Sequence, residues 1–122
     1  MRENNVAVVI VTYNRKELLR ECLEHLRSQT YKTFDVIIVD NGSTDGTGQF
    51  VETTEALYYR LETNLGGAGG FNYGIKMAYE AGYQYMWIMD DDTMPKPDAL
   101  RTLMDEAEAK PKFGFLASRV EW

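Results

Sequence analysis

The stretch that decides the fold is Val6-Ala7-Val8-Val9-Ile10-Val11, followed at once by Thr12-Tyr13-Asn14-Arg15. An unbroken aliphatic, mostly β-branched run fits a strand covered on both faces, because a half-exposed strand would alternate apolar with polar residues. Asn14 with Glu17 three residues later has the pattern of a capping box opening a helix. In that helix Leu18, Leu19, Cys22, Leu23 and Leu26 recur at helical spacing and form one apolar stripe. Phe34-Asp35-Val36-Ile37-Ile38-Val39 predicts a second strand that ends at Asp40.

Working outward, the alternation continues. The turn cluster Asn41-Gly42-Ser43-Thr44-Asp45-Gly46 leads to a short helix through Phe50 and Val51, then to a third strand over Leu57–Leu61. Asn64-Leu65-Gly66-Gly67-Ala68-Gly69-Gly70 reads as a glycine-rich loop before a helix from Phe71 to Tyr79. Tyr85-Met86-Trp87-Ile88-Met89 predicts a fourth strand, with Tyr85 and Trp87 as strand core, running into Asp90-Asp91-Asp92. Asp98 to Ala109 predicts a helix, and Phe113–Ala117 a fifth strand. The expected class is therefore α/β, a mostly parallel sheet with helices on both faces.

Composition narrows the function classes. With 122 residues the expectation is a single domain over 1–122. Lys and Arg number 13 against 19 Asp and Glu, a net charge of −6, which speaks against a nucleic-acid binder or a polybasic membrane-surface domain. The lone Cys22 rules out an internal disulfide and a cysteine zinc site, and reads as core; a reducing, cytoplasmic setting is expected. No apolar run approaches the ~20 residues of a membrane span. His25 reads as a structural residue on the first helix, and Ser43 has no histidine partner to make it a nucleophile.

In a parallel sheet, ligands bind beyond the carboxyl ends of the strands. Three such ends carry polar groups: Thr12-Tyr13-Asn14, Asp40-Asn41 and Asp90-Asp91-Asp92. They are expected to converge on one rim. Three consecutive carboxylates repel one another, so something positive belongs there. Oxygen ligands suit Mg²⁺ or Mn²⁺, and side-chain alternation puts Asp90 and Asp92 on one side. The plainer alternative is a solvated acidic turn capping the next helix. Asp40 can accept from a ribose hydroxyl or a base N–H, or make a local turn with Ser43. Asn14 can cap a helix or face a ligand. The glycines let backbone approach a ligand or form a flexible loop, but they make neither G-x-G-x-x-G nor a P-loop.

Val-Thr-Tyr-Asn-Arg (11–15), Leu-Arg-Ser-Gln-Thr-Tyr (26–31) and Val-Asp-Asn-Gly-Ser-Thr-Asp-Gly-Thr (39–47) resemble the opening of inverting family-2 glycosyltransferases of the GT-A fold, with its Rossmann-like nucleotide-sugar-binding half. Asn-Leu-Gly-Gly-Ala-Gly-Gly-Phe-Asn-Tyr-Gly (64–74) and Trp-Ile-Met-Asp-Asp-Asp-Thr (87–93) are similar to the galactofuranosyl- and rhamnosyltransferase branch. The resemblance implies transfer of a sugar, with inversion, from a UDP- or dTDP-sugar to a saccharide or lipid-linked acceptor. It assigns Thr12, Tyr13, Asn14, Asp40, Asn64, Gly66, Gly67, Gly69, Gly70 and Asp91 to the donor. Asp90 and Asp92 match the D-x-D motif for Mn²⁺ or Mg²⁺ bridging the diphosphate. Where the broad family often has an arginine, this chain has Phe71. Inverting transfer needs a base for the acceptor hydroxyl; Asp105, Glu106, Glu108 and Glu121 fit a helix surface or tail better. The expectation is thus the donor-binding part of a longer enzyme, with no catalytic residue in this chain, placed in the cytoplasm or at the inner face of a membrane. Self-association through exposed sheet edges is also expected.

Competing readings are a receiver-type signalling domain, a sugar-nucleotide pyrophosphorylase fragment and a non-catalytic nucleotide-binding module. The first lacks an acidic pair after strand one, and the second lacks a glycine signature there.

Overall fold

The strands stack in the order β3-β2-β1-β4, all parallel, in a computed structural model that describes residues 5–109. The elements are β1 (Val6–Thr12), α1 (Lys16–Arg27), β2 (Phe34–Asp40), α2 (Thr47–Glu52), β3 (Leu57–Arg60), α3 (Gly66–Glu80), β4 (Tyr85–Asp90) and α4 (Ala99–Ala109). The proposed fifth strand at 113–117 and Glu121 lie outside the described residues.

β1 is the central strand, and every one of its residues is buried. Its side chains alternate between two cores. Val6, Val8 and Ile10 join Ile38, Trp87 and Met89 under α1, α2 and α4, through Leu19, Cys22, Leu26, Val51, Leu100 and Met104. Ala7, Val9 and Val11 join Ile37 and Val39 under α3, through Ala78 with Phe71 and Tyr73. Helices on both faces explain why β1 reads as continuous apolar sequence. Leu18 departs from the predicted stripe and is 37% exposed. His25 is exposed, its Nδ1 2.8 Å from the Glu21 carbonyl.

The strand order reverses direction at β1, with β2 and β3 on one side and β4 on the other. A crevice opens at such a switch point. This order differs from the 2-1-3-4-5 order of receiver-like sheets and removes that reading.

Two local expectations are corrected. Asn14 and Glu17 do not form a capping box: α1 begins after Arg15, with no side-chain cap from its own N-terminus. Asn14 has a left-handed φ of 50° and points its Oδ1 at the Thr44 N–H, 2.7 Å away. The cap comes from a distant residue, Asp45, whose carboxylate accepts from the Lys16 N–H at 3.0 Å.

Residues 66–70 are not a loop either; they are the first turns of α3. Glycine costs about 1 kcal/mol in a helix interior, so local propensity argued for coil. Tertiary packing overrides it. A Cβ on Gly70 would stand 2.7 Å from Val11 Cγ1, and one on Gly74 2.5 Å from Val9 Cγ1. Side chains there would hold the helix off the sheet.

Candidate donor and metal site

Register brings the strand tips together. Thr12 pairs with Asp40 across β1–β2, and Val11 with Asp90 across β1–β4. Beyond these pairs the Thr12 hydroxyl donates to Asp91 Oδ2 at 2.9 Å, with both residues buried. Arg15 Nη1 adds a contact to Asp91 Oδ1 at 3.4 Å. The three predicted ends therefore share one rim.

Strand alternation, expected to place Asp90 and Asp92 on one side, stops at the end of β4: Asp90 to Thr93 form a turn, closed by the Thr93 N–H on the Asp90 carbonyl at 3.1 Å. Asp91 is buried, while Asp90 and Asp92 are exposed. The Asp90 carboxylate has no hydrogen bond or ion pair among the described residues, and Asp92 meets only Arg15, at 3.9 Å. Burial pushes the Asp91 carboxyl above the usual 3.8; the Thr12 hydroxyl and Arg15 pull it back, and Asp92 adds to the rise. The same negative charge reaches the core: the Cys22 thiol is pushed up to about 12, by burial first and then by Asp91 and Asp92.

Asp40 is fully buried and cross-links its surroundings. Its Oδ1 accepts from the Gly42 and Ser43 N–H groups at 3.1 and 2.8 Å, and its Oδ2 from the Tyr58 hydroxyl. The local turn with Ser43 is thus present. Burial, with the hydrogen bond to Asp40, drives the Tyr58 hydroxyl well above its usual range. Ser43 also accepts from the Asn14 N–H at 2.8 Å and, through its carbonyl, from Arg60 at 3.1 Å. The two segments flanking the rim, 12–15 and 40–45, are thus tied together by hydrogen bonds.

The start of α3 joins the same rim. Asn41 Oδ1 accepts from the Leu65 N–H at 3.1 Å, and its Nδ2 donates to the Gly66 carbonyl at 3.2 Å. Asn64 Oδ1 accepts from the Gly66 N–H at 2.7 Å. Gly66 and Gly67 are exposed and face open space, whereas Gly70 is buried against Val11 and serves the helix–sheet contact. Leu65 at the cap position makes no side-chain cap bond, so in the first turn of α3 only the Gly66 N–H has a side-chain acceptor among the described residues. Tyr13, 45% exposed, stands at the rim's edge.

Sequence reasoning missed Arg15, Asn41, Asp45 and Tyr58 as organising residues. Asn41 and Asp45 lie in the turn cluster that was recognised, so that signal was present; Arg15 and Tyr58 required the strand order. Asp105, Glu106 and Glu108 are exposed on α4, as expected for a helix surface. Among the described residues no three Asp, Glu, His or Cys side chains converge to hold a metal by themselves. No helix of these residues is long and apolar enough to cross a membrane.

Comparison with known proteins identifies the family and the fold. Residues 7–122 match the family Glycosyl transferase family 2. Glycosyltransferase GlyG of Streptococcus pneumoniae is 34% identical over 110 residues, which cover 86% of this chain and 36% of that protein. Galactofuranosyltransferase GlfT1 of Mycolicibacterium smegmatis is 40% identical over 95 residues, 74% of this chain and 30% of that one. The chain thus spans about a third of the length of these relatives. S. aureus TarS 1-349 in complex with UDP superposes with a TM-score of 0.75 at 28% identity, over 85% of this chain and 32% of that one. The mannosyltransferase PcManGT from Pyrobaculum calidifontis, in complex with GDP-Man and Mn²⁺, gives 0.76 at 28% identity, over 93% and 34%.

Proposed function

The chain belongs to glycosyl transferase family 2, and from that premise we propose that it supplies the donor- and metal-binding part of an enzyme transferring a sugar from a nucleoside-diphosphate sugar, with inversion, to a saccharide or lipid-linked acceptor. The observation that carries the proposal is the convergence of Thr12, Asp40 and the Asp90–Asp92 turn on one rim, with Asp90 and Asp92 exposed on either side of a buried Asp91.

The donor set fits a hard divalent cation. Asp90 and Asp92 present carboxylate oxygens to solvent, and a two-residue set leaves coordination positions for phosphate oxygens. When bound, Mn²⁺ or Mg²⁺ would neutralise the charge that develops on the departing diphosphate. The rest falls to the chain's own residues. Thr12 fixes Asp91 and thereby the turn on which Asp90 and Asp92 ride. Tyr13, Asn14 and Asp40 bound the side of the rim suited to base and ribose, with Tyr58 and Ser43 holding the Asp40 carboxylate. Asn64 and the bare backbone of Gly66, Gly67 and Gly69 border the donor's path at the start of α3. Gly70 contributes by letting the helix approach Val11.

We assign no general base to the described residues, since the acidic groups after Asp98 lie exposed on α4.

The test is calorimetric titration of UDP with and without Mn²⁺, in the wild type and in Asp92→Ala. The proposal expects Mn²⁺ to tighten UDP binding and Asp92→Ala to abolish that gain. Equal affinity in EDTA contradicts a metal bridge, and an unchanged Asp92→Ala variant removes that residue from the site.

A further inference from the structure

The acidic turn carries its own cation. Arg15 Nη1 lies 3.4 Å from Asp91 Oδ1 and 3.9 Å from Asp92 Oδ2. The two contacts have different consequences. The Asp91 side chain is 5% exposed and is also held by Thr12. Asp92 is 55% exposed, and Arg15, itself 53% exposed, is its sole charged or hydrogen-bonding partner among the described residues. Its grip on Asp92 is therefore a long, solvated ion pair of the kind that exchanges readily.

Asp92 is also, with Asp90, one of the two exposed carboxylates of the turn. A divalent cation on Asp90 and Asp92 and a guanidinium on Asp92 repel one another, so the two compete. We propose that Arg15 is the resident counter-ion of the turn: a donor–metal complex displaces it from Asp92, and its guanidinium then pairs with the donor diphosphate. This rests on the donor-binding reading above. The geometry suits the exchange, because the Arg15 tip is already 3.9 Å from Asp92, and a diphosphate held beside that carboxylate would come within its reach. A guanidinium presents paired N–H donors that match phosphate oxygens. The remaining contact to buried Asp91 keeps the side chain at the rim during the exchange.

The experiment uses the 122-residue chain and two ligands in turn. Mn²⁺ alone is followed by loss of its free-ion EPR signal, and UDP at saturating Mn²⁺ by calorimetry, for the wild type, Arg15→Gln and Arg15→Lys. The two affinities of Arg15→Gln should move in opposite directions. Mn²⁺ binds about two- to five-fold tighter, the range of an exposed ion pair removed, while UDP binds about ten-fold weaker, the scale of one lost charge-assisted hydrogen bond. Arg15→Lys keeps the charge, so it should leave Mn²⁺ affinity near wild type and lose only part of the UDP affinity. A residue that merely shapes the turn would weaken both ligands together. Unchanged or weaker Mn²⁺ binding in Arg15→Gln, or unchanged UDP binding, overturns the proposal. A wild type whose UDP affinity ignores Mn²⁺ instead overturns the donor-binding reading and this proposal with it.

Discussion

Replacing Thr12 by valine removes one hydroxyl from a buried pair and tests how the rim is held. Thr12 is 1% exposed and Asp91 4% exposed, with 2.9 Å between their oxygens, so no water can substitute for the lost donor. A hydrogen bond to a charged group contributes about 1.5–3 kcal/mol, and stranding the buried acceptor puts the cost toward the upper end. The Arg15 contact offsets little, because its side chain is 53% exposed. The loss should depend on pH. The Asp91 carboxyl sits above the usual 3.8, so in the wild type stability falls as pH rises through the window from that value to its folded one. Without the Thr12 hydroxyl the carboxyl rises further, and the window widens upward. The penalty is therefore largest above the raised folded value, where Asp91 is charged, and shrinks to about 0.5–1.5 kcal/mol once it is protonated. Urea unfolding followed by far-UV circular dichroism, at steps from pH 7 toward pH 4, measures this directly. Thr12→Ser keeps the hydroxyl and should show only a small, pH-independent loss. A Thr12→Val loss that is the same at every pH, or below about 0.5 kcal/mol at pH 7, refutes the reasoning.

The helix glycines make a paired prediction. Gly74→Ala gains about 1 kcal/mol of helix propensity but places a Cβ 2.5 Å from Val9 Cγ1 and 3.0 Å from Val39 Cγ2; overpacking of about 1–3 kcal/mol should win, and the melting temperature should fall. Gly67→Ala meets nothing within 4 Å and should raise it, so thermal melts moving both variants the same way would contradict the packing account of α3. Asp45→Ala should cost about 1 kcal/mol at neutral pH by uncapping α1 and the start of α2. Burial pushes the Asp45 carboxyl up slightly, but hydrogen bonds from Thr47 and the Lys16 N–H outweigh it and hold it below 3.8; the contribution is present above that value and is lost as pH falls through the lower folded one. Equal wild-type and variant stability in urea at pH 7 would remove Asp45 from that role.

Much of this was legible in the sequence, for reasons particular residues make plain. A strand buried on both faces needs the unbroken Val6–Val11 run, and its partners had to be strands of the same kind, so the parallel sheet and the meeting of its polar tips followed. The triplet at 90–92 announced a shared rim because carboxylates in series need a cation or a donor, and Thr12 and Arg15 supply both. What failed was local chemistry overruled at a distance. Asn14 and Glu17 satisfy the spacing of a capping box, but Thr44 and Ser43 arrive from the next loop and claim Asn14. Glycine breaks helices by propensity, yet Val11 selects Gly70 and Val9 selects Gly74 for close contact with the sheet. Tyr58 has no one-dimensional signature, and the motif at 11–15 that contains Arg15 does not say what its side chain meets. Their roles exist because β3 lies beside β2, and β4 beside β1.

The central claim is that these strand tips form one cation-dependent nucleotide site. A crystal structure of the chain with uridine diphosphate and manganese tests it most directly. The account predicts manganese between the Asp90 and Asp92 carboxylates and the diphosphate, with the uridine lying toward Tyr13 and Asp40. An empty rim, with the nucleotide bound elsewhere or absent, would contradict it.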